Sequence, residues 1–273
     1  MFAEIADACH KFAPMSTEKK RPLILVTNDD GIFAKGILSL TEAMMDLGDV
    51  VVVAPDKPQS GMGHAVTIND LLRLNKVKYD LPVMAAYSCS GTPVDCVKLA
   101  IYKVTHRKPD LVVSGVNHGS NSSINVIYSG TMSAAMEGAV ESIPSIGFSL
   151  LDHSADADFD AAMQVAKLIA GNALEKGIPE GVCLNVNIPK GLYSTMNGIR
   201  ICRQAKAFWE DDFDVRKDPS GKEYYWLTGE FRHTDDGEGT DELALQNNFV
   251  SVVPVHYDLT AYRAMEHLQN WNL

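Results

Sequence analysis

The chain has 273 residues, a formal net charge of -11 at pH 7 and 46% hydrophobic residues. That length and apolar content suffice for one large α/β domain and exclude disorder as the governing state. The acidic balance excludes a nucleic-acid duplex as the main partner, which needs a basic groove, and no apolar stretch reaches the roughly 18 residues that span a membrane.

Residues 1–21 read as a loose N-terminal extension without the apolar core of a signal peptide, and Met15 is a candidate initiator within it. Residues 23–31 read as a buried strand that stops abruptly at two adjacent carboxylates, Asp29 and Asp30, and Gly31. Ile37, Leu40, Met44 and Leu47 recur at helical spacing, with Gly48 as the stop. Residues 50–54 form a second apolar strand ended by Pro55, a βαβ beginning with parallel strands. Residues 90–93 and 128–131 both read as helix starts, the first carrying Pro93 at a favoured early position. Residues 110–114 are a further short apolar strand opening into a Gly- and Asn-rich loop.

A helix follows over residues 131–142, a strand over 145–149, a helix marked by Phe159, Met163, Ala166 and Ile169 and closed by Gly177, and a strand over 182–187. This alternation argues a doubly wound, mostly parallel sheet. Beyond residue 200, two aromatic and charged stretches, 208–213 and 223–227, flank a turn at 218–221 and read as a β-hairpin suited to an interface. Residues 258–267 read as a helical tail. The expected organisation is a catalytic core over 22–200 and a hairpin and C-terminal arm over 201–273, part of the same domain and used in oligomerisation.

The five cysteines, Cys9, Cys89, Cys96, Cys183 and Cys202, are odd in number and include no CxxC pair, so they read as reduced core residues of a cytoplasmic protein.

In an open α/β sheet the loops after parallel strands converge on one edge, and ligands bind there. Asp29 and Asp30 fall at that edge, where a hard cation relieves their mutual repulsion. A polar turn and helix cap explain the same residues equally well in isolation. Ser60 and Asn117 lie in the loops that follow the second strand and the 110–114 strand; each is an ordinary turn residue by itself and a plausible oxygen ligand beside the aspartates. Helix starts at Ser90–Pro93 and Ser129–Thr131 offer backbone N–H groups to an anion, although capping alone also accounts for them. His64 and His118 read as solvated or substrate-proximal loop residues, and the acidic pairs Asp211–Asp212 and Asp235–Asp236 as solvated faces.

The strings LVTNDDGI, APDKPQSG, CSGTPVDCVKLA, SGVNHGSN and YSGTMSAAMEGA, in that order, resemble the SurE family of survival proteins. The resemblance covers about residues 22 to 188. It implies a three-layer αβα Rossmann-like (SurE-like) fold with a C-terminal hairpin and helix extension, and a metal-dependent 5′/3′-nucleotidase that hydrolyses nucleoside monophosphates. It implies one divalent cation per subunit, Mg²⁺ or Mn²⁺, on Asp29, Asp30, Ser60 and Asn117, with Asp29 and Asp30 catalytic. It also implies a phosphate held by Asn117, Asn121, Ser129, Gly130 and Thr131, and a homodimer or homotetramer built through the C-terminal arm. The rival readings are a phosphoaspartate phosphatase of the haloacid dehalogenase kind, which expects Asp-x-Asp rather than adjacent aspartates, and a non-catalytic Mg²⁺-binding receiver-like module, which expects an aspartate where the 110–114 strand ends in Ser114. A nicotinamide-type nucleotide fold is weaker, because no GxGxxG follows a strand.

Overall fold

The computed structural model describes residues 20–235 and 237–271. The extension over residues 1–19, with Cys9 and Met15, and Asp236 of the second acidic pair lie outside the described residues. The strands in chain order are β1 (Leu23–Thr27), β2 (Asp49–Pro55), β3 (Leu74–Lys76), β4 (Ala85–Cys89), β5 (Leu111–His118), β6 (Ser145–Leu150), β7 (Val182–Ile188), β8 (Ile199–Ile201), β9 (Ala207–Lys217), β10 (Glu223–His233) and β11 (Val250–His256). The helices are α1 (Lys35–Met45), α2 (Pro93–Leu99), α3 (Gly130–Val140), α4 (Asp160–Lys176), α5 (Asp241–Gln246) and α6 (Tyr262–Leu268).

Nine strands form one sheet in the order β3-β4-β2-β1-β5-β6-β7-β11-β8, and β9 and β10 form a separate antiparallel pair. β4, β2, β1, β5, β6 and β7 run parallel, as the βαβ alternation predicts. Each central strand is buried on both faces, which is why it reads as a continuous apolar run. Successive side chains alternate between the two faces. Ile24 and Val26 therefore pack with Ile37 and Leu40 of α1 and Val165 of α4. Leu23 and Leu25 face the opposite layer, with Val97 of α2 and Ala134 of α3. These two cores make the three-layer αβα arrangement.

The chain leaves β1 for β2 on one side and later returns to place β5 on the other. The order of strands thus reverses between β1 and β5, and a crevice opens beyond their carboxyl ends. β5 extends to His118, past the expected end at residue 114, and its register with β6 shifts between Ser114 and Asn117. Such a bulge re-aims the residues that follow it, here Asn117 and His118.

The hairpin strands are also longer than expected, with eleven residues each. The tail helix starts at Tyr262 rather than near residue 258, because the Asp258 side chain accepts from the Thr260 N–H and holds an extended turn there. Past residue 200, β11 joins the main sheet antiparallel to β7. The four described cysteines are free and buried.

Phe148 on β6 is fully buried against α1 and α4. Phe148→Ala is expected to lower the unfolding free energy by about 3–5 kcal/mol, measured by urea denaturation.

Candidate active site

The turn after β1 is closed by Asn28, whose Nδ2 donates to the Gly31 carbonyl at 2.9 Å while its Oδ1 accepts from the Gly31 N–H at 3.2 Å. Gly31 sits at φ +103°, a left-handed conformation that glycine adopts without strain. This staple holds Asp29 and Asp30 at the crevice between β1 and β5. The loop after β2 is tied in by the Gln59 N–H, which donates to the Asp29 carbonyl at 2.7 Å, and by the Gly63 N–H, which donates to the Tyr128 carbonyl at 3.2 Å. Ser60 lies between these two anchors. Asn117 commits its Nδ2 to the carbonyls of His118 and Gly119, at 3.1 and 3.0 Å, which leaves Oδ1 as the atom available to a cation.

Asp29, Asp30, Ser60 and Asn117 all line one cavity of about 670 Å³. Asp29 is 3% exposed. Burial pushes its carboxyl up from 3.8 to about 6, against hydrogen bonds from Thr131, and the neighbouring Asp30 charge adds to the rise. Burial pushes Asp30 up as well, opposed by the ring and backbone N–H of His118. Asp30 Oδ2 is buried and has no hydrogen-bond partner among the described residues. An unpaired buried carboxylate oxygen beside a second carboxylate is costly unless a cation offsets it. Two carboxylates with a hydroxyl and an amide oxygen are a donor set suited to a hard divalent ion.

Among the residues expected to hold phosphate, Asn117, Asn121 and Ser129 line the same cavity. Asn121 Nδ2 donates to Ser149 Oγ at 2.8 Å and its backbone N–H to Asn187 Oδ1 at 2.8 Å, so a polar network behind the wall fixes it. Ser129 caps α3 by accepting from the Met132 N–H at 3.0 Å. Gly130 and Thr131 stand behind Asp29. Thr131 Oγ1 donates to Asp29 Oδ1 at 2.5 Å, and a Cβ on Gly130 would lie 2.7 Å from the Asp29 Cβ. Only glycine lets the positive end of α3 come this close to the carboxylate.

The other helix start, at residues 90–93, is satisfied internally: Thr92 and Asp95 form a reciprocal capping box, and Asp95 also accepts from Thr67. His118 lines the cavity and packs edge-on against Phe159, with ring centroids 5.1 Å apart. His64 is turned elsewhere: its Nε2 lies 2.8 Å from Glu137 Oε2, and Lys98 Nζ donates to Glu137 Oε1 at 2.5 Å. Burial would raise the Glu137 carboxyl, yet these two partners hold it below its ordinary value. Asp211 and Asp212 are exposed on the hairpin, whereas Asp235 forms a two-pronged ion pair with Arg203 and is not merely solvated.

Sequence reasoning missed Glu137, His153, Trp209, Phe231 and Glu242. The last four line the cavity, and they come from loops, the hairpin and α5, which no local motif connects to the carboxylates.

The family model for "Survival protein SurE" matches residues 24–211. The 5′-nucleotidase SurE of Flavobacterium psychrophilum is 62% identical over 253 residues, covering 93% of this chain and 98% of that protein. The 5′-nucleotidase SurE of Chlorobaculum tepidum is 41% identical over 259 residues, covering 95% and 98% respectively. The crystal structure of the SurE protein from Aquifex aeolicus superposes with a TM-score of 0.79 at 42% identity, covering 91% of this chain and 98% of that one.

A carboxyl whose folded value lies above its unfolded one holds more protons in the folded state, so its ionisation lowers stability as pH rises. For Asp29 this loss develops between about pH 4 and pH 6. Were Asp29 to hold a divalent cation, the rise in Tm on adding Mn²⁺ to chelator-treated protein would be small at pH 5 and larger at pH 7. Asp29→Asn should flatten that difference in differential scanning fluorimetry.

Proposed function

The chain belongs to the SurE family, and from that premise we propose that it is a metal-dependent 5′-nucleotidase, which hydrolyses nucleoside monophosphates to nucleoside and phosphate. The observation that carries this reading is the buried, unpartnered Asp30 oxygen beside Asp29 in a cavity at the strand-order reversal. Asp29, Asp30, Ser60 and Asn117 would hold one cation, and oxygen donors of this kind suit Mg²⁺ or Mn²⁺. When bound, such a cation supplies a Lewis acid that acidifies water and offsets charge on phosphoryl oxygens.

The chain's own residues do the rest. Ser129, whose hydroxyl keeps a hydrogen to donate, and Asn121, with its second amide hydrogen, receive the phosphate from the cavity wall. Asn117, by contrast, has both amide hydrogens committed and serves the cation through Oδ1, and Gly130 and Thr131 bring the positive end of α3 up behind Asp29. Thr131 fixes one Asp29 oxygen, so the other is held in a set direction and takes the proton of the attacking water. Nothing in the cavity or among the relatives favours the phosphoaspartate or receiver readings.

Three finer statements belong to the same proposal. The exposed aromatic side chains Phe213, Tyr225 and Trp226 on the hairpin favour a homodimer or homotetramer. The free, buried cysteines favour a cytoplasmic setting. The 3′-monophosphates are a second substrate class.

The test is phosphate release from a panel of 5′- and 3′-monophosphates before chelation, after it, and after metal is added back. Chelation is expected to abolish turnover reversibly, and Asp30→Asn to lower kcat/KM by at least about a hundredfold. Thr131→Val, which frees Asp29 without touching the cavity, is expected to cost roughly ten- to a hundredfold. Full activity in chelator would sink the proposal.

A further inference from the structure

The carboxylates and the start of α3 account for part of the cavity wall. Another part is supplied by elements that follow residue 200. Trp209 on β9 and Phe231 on β10 are paired across the hairpin, their ring centroids 5.6 Å apart at an interplanar angle of 63°. Both line the cavity that Asp29 and Asp30 also line.

The indole is fixed at one edge, because Nε1 donates to Asn125 Oδ1 at 2.8 Å and so ties the hairpin to the segment that precedes α3. It is nevertheless 44% exposed, which leaves apolar ring surface uncovered. Glu242 of α5 lines the cavity too and accepts from Ser122 Oγ at 2.5 Å. A carboxylate there disfavours a phosphate directly beside it unless a cation accompanies it. The cavity volume of about 670 Å³ is of the size that takes a whole small organic ligand rather than a bare anion. A flat, largely neutral group attached to a phosphate fits this polarity.

We propose that Trp209 and Phe231 form the nucleobase subsite, on which a base stacks while the phosphate stays beside Asp29 and Asp30. The assignment rests on the nucleotidase reading given above. Every base presents a π face, so a stacking platform accepts purines and pyrimidines alike and reads no edge pattern. Broad base tolerance follows from the chemistry of the wall.

The experiment uses the full-length, metal-loaded protein and measures phosphate release from AMP and CMP, with inorganic phosphate as a competitive inhibitor that has no base. Trp209→Ala is expected to raise KM for both nucleotides about tenfold, with kcat and the inhibition constant of phosphate changed by less than about twofold. Trp209→Phe should restore most of the lost affinity, and Phe231→Ala should shift KM in the same direction. If Trp209→Ala does not fold by circular dichroism, Phe231→Ala and Trp209→Phe carry the comparison. Unchanged KM in the alanine variants that fold, or an equal weakening of phosphate inhibition, would overturn the subsite and leave the nucleotidase reading standing. Failure of the unmodified protein to hydrolyse either nucleotide would overturn both.

Discussion

Two largely buried carboxylates held side by side at the crevice are the constraint to which the rest of the site answers. Charge repulsion and burial both oppose their ionisation. The fold meets part of that cost from one direction: α3 approaches Asp29 with its positive end, Thr131 donates to it, and Gly130 leaves out the Cβ that would collide. Asp30 receives less, with only the ring and backbone of His118 opposing its burial and one oxygen unpaired. That imbalance is what a divalent cation would complete under the proposed function.

Holding this arrangement requires that three loops from different strands keep their relative positions. The Ser60 loop is pinned to the Asp29 carbonyl and to Tyr128, and its far end is clasped through His64 to Glu137. Glu137 in turn binds Lys98, so one buried carboxylate links that loop, α2 and α3. On the other side Asn121, Asn187, Asn185 and Ser149 form a buried amide network under the cavity wall. Networks of this kind rigidify when every member is satisfied. The polar residues at the sheet edge thus serve position as much as contact.

The hairpin gives this rigid floor a second kind of wall. Asp241 accepts from the Ser123 and Ala205 N–H groups, locking α5 and the start of the hairpin against the segment before α3. Trp209 repeats the connection through Asn125. The carboxylates therefore belong to the α/β layers, and Trp209, Phe231 and Glu242 to the segments appended to them.

Much of this was legible from local pattern. The apolar strands, the helices at period 3.6 and the Asp29–Asp30 turn are local or nearly local features, and parallel strands must deliver their loops to one edge. Asp29, Asp30, Ser60 and Asn117 could therefore be expected near one another from the sequence. Tertiary structure alone decided what surrounds them. It turned His64 away to Glu137, directed the Thr131 hydroxyl at Asp29, extended β5 past Asn117 to His118, brought β11 into the main sheet, and set Trp209, Phe231 and Glu242 on the wall of the cavity that the carboxylates line. The physical reason is range: periodicity and turn chemistry act over a few residues, whereas a hydrogen bond from residue 64 to residue 137, or from 125 to 209, depends on how finished layers pack and leaves no local mark in the chain.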